Sequence, residues 1–264
     1  MLETHQLSIG YPARPNPRCI RSELNLQLPH ARLVCLIGPN GCGKSTLLRT
    51  LAGLQAPLDG QILIDGQDLT RLPPRQRAQH LSVVLTDRFE VPHLSVRQLV
   101  AWSRNPYHGL SSQLTEEDRH LVQQSLHAVG MTELSLRPLS SLSDGERQRA
   151  LIAAALCQDT PYILLDEPTA HLDVVARAEV MLLLARLARQ TGKGILLSTH
   201  ELELALQTAD EFWLLSPQGQ THTGTPAELT RSGALDSAFR SPNFHIDPHT
   251  LRMEIRKDQQ PDRS

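Results

Sequence analysis

Two spacings of apolar residues divide this chain. Leu24, Leu26 and Leu28 alternate with Asn25 and Gln27, the period-two pattern of a half-buried strand. Residues 2–30 as a whole predict antiparallel β structure, interrupted by a proline-rich loop over 12–17. Asp59 and Gly60 open a further strand over 61–64, which Asp65 and Gly66 end. Leu33, Val34, Cys35, Leu36 and Ile37 do not alternate, and such an unbroken apolar run suits a buried parallel strand. Residues 81–85, 162–165 and 194–198 also read as strands. Between them the spacing becomes helical: Leu47, Leu48, Leu51 and Leu54 after the first run, then residues 74–80, 150–156, about 174–190, and a stretch after His200. Strands alternating with helices predict an α/β fold with a parallel core sheet.

Residues 92–140 change character. Leu94, Val96, Leu99 and Val100, then Leu121, Leu126 and Val129, keep helical spacing with no strand between them. Helix starts are expected at Ser95 and at Thr115, where Glu116, Glu117 and Asp118 favour an N-terminus. This reads as a helical subdomain over about 92–158, inserted between β-rich parts of a single domain spanning 1–242. Residues 243–264 read as a tail with little order.

Composition narrows the picture. The chain has 264 residues, 40% of them hydrophobic, enough for a sizeable core. With 26 Lys+Arg against 28 Asp+Glu, there is no basic footprint, and nucleic acid is not an expected partner. Cys19, Cys35, Cys42 and Cys157 lack metal-type spacing and read as reduced thiols. No apolar run approaches the roughly 18 residues that span a bilayer, and the N-terminus lacks the pattern of a signal peptide. Work at a membrane would therefore require docking on another subunit.

The candidate chemistry begins at residues 38–46, which read Gly38, Pro39, Asn40, Gly41, Cys42, Gly43, Lys44, Ser45 and Thr46. This is the G-x-x-x-x-G-K-[ST] phosphate loop, and it lies between an apolar strand and a helix as the motif requires. Its glycines let backbone N–H groups turn toward an anion, and the helix N-terminus adds partial positive charge. Lys44 can reach the β- and γ-phosphates of a nucleotide, and Ser45 can offer a hydroxyl to Mg²⁺. Residues 163–165 lead into Asp166 and Glu167. Asp166 would hold Mg²⁺, and Glu167, just past the strand end, would act as general base on the attacking water. His200 follows a second apolar strand, a position that suits a catalytic role, and its imidazole could bond the γ-phosphate.

Leu142, Ser143, Asp144, Gly145 and Glu146 open a helix with Ser143 as N-cap. With these residues the chain resembles the ATP-binding-cassette (ABC) ATPases over almost its full length. Their usual signature is Leu-Ser-Gly-Gly-Gln, so Asp144 and Glu146 depart from it. The resemblance implies an ATPase with a mixed parallel core sheet, an N-terminal antiparallel β subdomain and a helical subdomain. It implies a head-to-tail dimer around two ATP, in which Ser143, Asp144, Gly145 and Glu146 face the nucleotide of the opposite copy. By the same resemblance Tyr11 would stack on adenine, and Asp173, in the stretch 170–173, would couple the two sites. The family's glutamine after the strand 81–85 is missing. Thr86 aligns with it as a candidate Mg²⁺ ligand, with Asp87 or Gln76 as substitutes. Residues 99–107, with Arg104, Asn105 and Pro106 at a turn, resemble importers of iron-siderophores, haem and cobalamin. That implies multi-span permease partners, a substrate-binding protein indirectly, and a peripheral place on the cytoplasmic face of the cell membrane. A soluble ATPase not coupled to transport is the alternative.

Overall fold

The computed structural model describes residues 1–12, 17–85, 93–108, 113–239, 244–247 and 250–255. Strands β1 (Leu2–Tyr11), β2 (Arg18–Leu24) and β3 (Gln27–Leu28) lead into β4 (Leu33–Ile37) and α1 (Lys44–Leu51). Then come β5 (Asp59–Ile64), β6 (Gln67–Asp68), α2 (Pro74–His80) and β7 (Leu81–Val84). A helical stretch follows, with α3 (Val96–Trp102), α4 (Asn105–His108), α5 (Glu116–Ala128) and α6 (Asp144–Cys157). The chain next alternates through β8 (Tyr162–Leu165), α7 (Val174–Thr191), β9 (Gly194–Ser198), α8 (Leu202–Thr208) and β10 (Glu211–Leu215). It closes with β11 (Thr221–Gly224), α9 (Pro226–Arg231), α10 (Ala234–Phe239), β12 (Phe244–Ile246) and β13 (Met253–Ile255).

One sheet is antiparallel, in the order β2-β1-β5-β6 with β3 also on β1. The central sheet runs β11-β10-β4-β9-β8-β7; its strands from β10 to β7 are parallel, and β11 lies antiparallel on that edge. Every residue of β4, β8 and β9 is buried, which is why their sequences show no alternation. The two faces still separate by period two. Val34, Leu36, Leu164 and Leu196 pack with Leu47 of α1 and with Leu7 and Ile9 of the antiparallel sheet. Cys35, Ile37, Ile163 and Leu197 pack instead with Leu99, Val122, Ile152 and Leu184 of the helices. Each such leucine or isoleucine contributes roughly 1.5–3 kcal/mol on burial. The phosphate loop leaves the C-terminal end of β4, between these two cores.

The helical layer begins as its sequence predicts. Ser95 caps α3 and Thr115 caps α5, each in a reciprocal capping box, with Gln98 and Asp118 as the returning partners. The Arg104 turn then locks the layer together. Arg104 Nε donates to Asp118 Oδ1 at 2.8 Å, and its Nη1 donates to the carbonyls of Cys157 and Gln158, both at 3.1 Å. His108 Nε2 lies 2.9 Å from Asp118 Oδ2. Burial opposes charge on Asp118, but the bonds from Arg104, Thr115 and His108 outweigh it and hold its pKa well below the usual carboxylate range.

The stretch beyond 242 is more structured than its sequence predicts. β12 pairs with β13, and Ile246 is fully buried in the helix-side core, its N–H donating to Asp236 at 3.3 Å. Three-residue strands are too short to show a period. All four cysteines are free thiols.

Candidate functional site

The loop between β4 and α1 forms one wall of a cleft of about 620 Å³, lined by Tyr11, Asn40, Gly41, Gly43, Lys44, Ser45, Thr46, Glu167 and His200. Nine of the expected residues therefore meet in one place. Gly38 has φ 148°, and a Cβ there would come within 2.4 Å of the Leu215 carbonyl oxygen, so only glycine lets the loop turn at this point. Cys42 is buried behind the loop with its Sγ beside Gly38, and does not line the cleft. Lys44 is also buried; its Nζ donates to the carbonyls of Gly38 at 2.8 Å and Pro39 at 3.3 Å. Burial lowers its pKa, opposed by Cys42, Glu167 and Asp166 nearby.

Glu167 and His200, just past the ends of β8 and β9, line the same cleft, while Asp166 does not. Asp166 is buried and accepts from Ser45 Oγ at 3.2 Å and from Ser198 Oγ at 2.7 Å. The Glu167 N–H donates to the same Ser198 oxygen at 2.9 Å. Glu167 has φ 48°, a strained value for a residue with a side chain. Its Oε1 lies 2.5 Å from His200 Nε2. Ser198 thus orients both acidic residues. The sequence held a clue to it, a polar residue closing an apolar strand. Tyr11 is half exposed at the rim, its hydroxyl 3.4 Å from Thr46 Oγ1. Thr86, Asp87 and Arg88 lie outside the described residues. Gln76 sits exposed on α2 and does not line the cleft.

A second cleft, of about 490 Å³, holds Ser143, Asp144, Gly145, His171 and Asp173 and shares no lining residue with the first. Ser143 caps α6 in a box of its own: Glu146 Oε2 accepts from the Ser143 N–H at 2.9 Å, and the Glu146 N–H donates back to Ser143 Oγ at 3.3 Å. The bond from the Ser143 backbone, and after it the Ser143 side chain at the carboxylate, lower the Glu146 pKa. Glu146 therefore does the work a glutamine would do at this cap. A Cβ on Gly145 would meet Ala176 Cβ at 3.3 Å, so this glycine also serves close packing of α6 on α7. Asp173 caps α7, accepting from the Ala176 N–H at 2.8 Å. Arg177, which the sequence reading missed, joins the two regions. Its Nε donates to the Leu172 carbonyl at 2.8 Å and its Nη1 to Glu201 Oε1 at 2.6 Å, next to His200.

The family model described as ABC transporter matches residues 22–170, more than half of the chain. The chain belongs to the ABC transporter family. This cassette is an ATP-binding, ATP-hydrolysing subunit of that family. It is 38% identical over 247 residues to the achromobactin transport ATP-binding protein CbrD of Dickeya dadantii, covering 93% of the cassette and 88% of that protein. It is 35% identical to the iron(3+)-hydroxamate import ATP-binding protein FhuC of Bacillus subtilis, covering 94% and 91%. Among solved structures, a metal-chelate type ABC transporter in an inward-facing conformation matches with a TM-score of 0.77 and 27% identity, covering 96% of the cassette and 95% of that chain. The cassette MJ0796, solved as a dimer bound to ADP and Pi, shares the fold at a TM-score of 0.72 and 24% identity, covering 86% and 99%. Among the described residues, no helix is long and apolar enough to cross a membrane.

Proposed function

We propose that this cassette drives an importer of a ferric siderophore or a related chelate such as haem or cobalamin. Two copies dimerise head to tail on the cytoplasmic face of the cell membrane, against multi-span permease subunits that receive cargo from a substrate-binding protein. The single observation that carries the hydrolytic reading is the 2.5 Å contact between Glu167 and His200 at the mouth of the phosphate-loop cleft. The relatives named for siderophore and hydroxamate transport support the cargo class.

Lys44 gives up the Gly38 and Pro39 carbonyls for the β- and γ-phosphates, while Asn40, Gly41, Cys42, Gly43 and Thr46 shape the cradle. Tyr11 stacks on adenine. Glu167 takes a proton from water as its oxygen bonds the γ-phosphorus and the bridging P–O bond breaks, releasing ADP. His200 orients Glu167 and bonds the γ-phosphate. The Ser45 hydroxyl and the Asp166 carboxylate are hard oxygen donors that already meet at the loop. One or two protein oxygens plus phosphate oxygens suit Mg²⁺, and no trio of His, Cys, Asp or Glu among the described residues offers an all-protein cage. Bound there, Mg²⁺ would neutralise charge on the phosphate oxygens. Ser143, Asp144, Gly145 and Glu146, with Asp173, would close on the γ-phosphate held by the other copy.

The test joins binding and transport. Lys44→Ala should abolish ATP binding by titration calorimetry. The parent, purified with its permease in vesicles, should hydrolyse ATP faster when a chelate-loaded binding protein is supplied. Hydrolysis that never responds to the permease would favour an ATPase not coupled to transport.

A further inference from the structure

Arg21 is a charged residue where the fold calls for an apolar one. It sits on β2 opposite Ile9 of β1 and is only 5% exposed. It has no carboxylate partner among the described residues. Its Nε donates to the Cys42 carbonyl at 2.9 Å and its Nη2 to the Ser216 carbonyl at 2.6 Å, while Nη1 is buried with no partner. A buried cation without a counter-ion is costly, so its position needs a reason.

The reason lies in the peptide it grips. In a planar trans peptide the C=O and the following N–H point in opposite directions. A guanidinium that holds the Cys42 carbonyl from behind therefore turns the Gly43 N–H the other way. Gly43 lines the nucleotide cleft, and among the described residues its N–H donates to no other group. The backbone cannot relax easily: Gly43 has φ 106°, and the space where its Cβ would be is filled by Ile20 Cγ2 at 2.8 Å. The second bond, to Ser216, anchors the same guanidinium to the end of β10, beside the carbonyl that confines Gly38. The positive charge stands behind the loop and the nucleotide phosphates would stand in front of it.

We infer that Arg21 is a positioning residue for the phosphate loop, fixing the Cys42–Gly43 peptide so that its N–H faces the bound phosphates and adding a buried positive charge behind them. This rests on the reading of the cleft as the ATP site.

Arg21→Met keeps the length and apolar stem; Arg21→Lys keeps the charge but not the fork that spans two carbonyls. ATP and ADP affinities are read by calorimetry, kcat and KM by steady-state hydrolysis, and melting temperature with and without nucleotide. Arg21→Met should weaken both nucleotides about tenfold, with kcat falling far less than KM rises, as loss of uniform binding requires. Without nucleotide it should melt no lower than the parent, because an uncompensated buried charge has been removed. The rise in melting temperature on adding ATP should shrink. Arg21→Lys should fall between the two. Parent-like affinity in Arg21→Met overturns the inference. So does a fall in melting temperature without nucleotide combined with equal impairment in Arg21→Lys, which would make Arg21 merely structural. If Arg21→Met does not fold, Arg21→Lys decides alone: a few-fold loss of ADP affinity supports the inference and parent affinity overturns it. If the parent itself binds no ATP, the reading of the cleft fails instead.

Discussion

The phosphate-loop cleft and the signature cleft, which the proposed function assigns to one ligand, are built in opposite ways. In the first, groups from β1, α1, β8 and β9 converge, and Lys44, Thr46 and Asp166 are buried around it. Lys44 and Ser45 are held in place there by the Gly38 carbonyl and by Asp166. The second lies between the starts of α6 and α7, with Ser143 and Asp144 exposed, His171 and Asp173 on the α7 side, and the α6 cap closed upon itself through Glu146. A helix N-terminus on a surface holds an anion weakly by itself. The first cleft is thus equipped to bind a nucleotide within one chain. On the proposed reading the second would contribute only when another surface brings phosphates to it, and a single sequence carrying both halves would then need a two-fold partner.

The largest effect should come from separating binding from turnover. Glu167→Gln removes the base and leaves the cradle, so turnover should fall by roughly 10²–10⁴-fold with ATP affinity near the parent's. The same variant should accumulate as an ATP-dependent dimer on size-exclusion chromatography. Ser143→Ala should leave ATP affinity of the single chain unchanged while preventing that dimer in the Glu167→Gln background. If Ser143→Ala weakened binding by the monomer, the two clefts would not be the separate halves described above.

The helical layer that carries the signature should fail independently of the loop. Asp118→Ala leaves Arg104 buried without its carboxylate, which should cost about 3–5 kcal/mol, read by urea unfolding. Asp118 has a folded-state pKa held below its unfolded value. Its stabilisation is therefore fully present above the unfolded value, about 3.9, and is lost as pH falls below that toward the folded value. Stability of the parent should decline below about pH 4, and Asp118→Asn should flatten that part of the curve. The folded fraction of the variant should still bind ATP.

How much of this could be read from residues alone depended on distance along the chain. The phosphate loop, the buried strands, the caps at Ser95 and Thr115 and the acidic pair at 166 and 167 are all local signals; the structure bears out the strands and caps, and it brings Ser45 of the loop against Asp166. The box formed by Ser143 and Glu146 is equally local, a Ser-x-x-Glu before a helix, of which the N-cap reading of Ser143 covers only the first half. Phe212, Trp213, Leu214 and Leu215 form an apolar run that could have announced β10 beside β4. Ser198, Arg21 and Arg177 are different. Arg21 and Ser216 are 195 positions apart, and Ser198 and Asp166 are 32 apart. No pattern of neighbours marks a residue whose partner is chosen by sheet order.

The finest distinction concerns the two departures within the signature. Glu146 spends its charge on the Ser143 N–H, so it is turned toward its own helix rather than toward a ligand. Asp144 is exposed and lines the second cleft. At the first turn of α6 its carboxylate favours the helix dipole, but in a closed dimer the same charge would face the γ-phosphate of the other copy and repel it. Asp144→Asn removes the charge and keeps the shape. It should tighten ATP-dependent dimerisation by about two- to fivefold, the size of an exposed charge interaction of roughly 0.3–1 kcal/mol. Because both groups meet solvent before closure, the gain should shrink as salt shortens the screening length below about 8 Å. Glu146→Gln should leave dimer affinity unchanged at every salt concentration, since glutamine can close the same box. Equal responses from the two variants would mean that the signature reads total charge and not the position of each carboxylate.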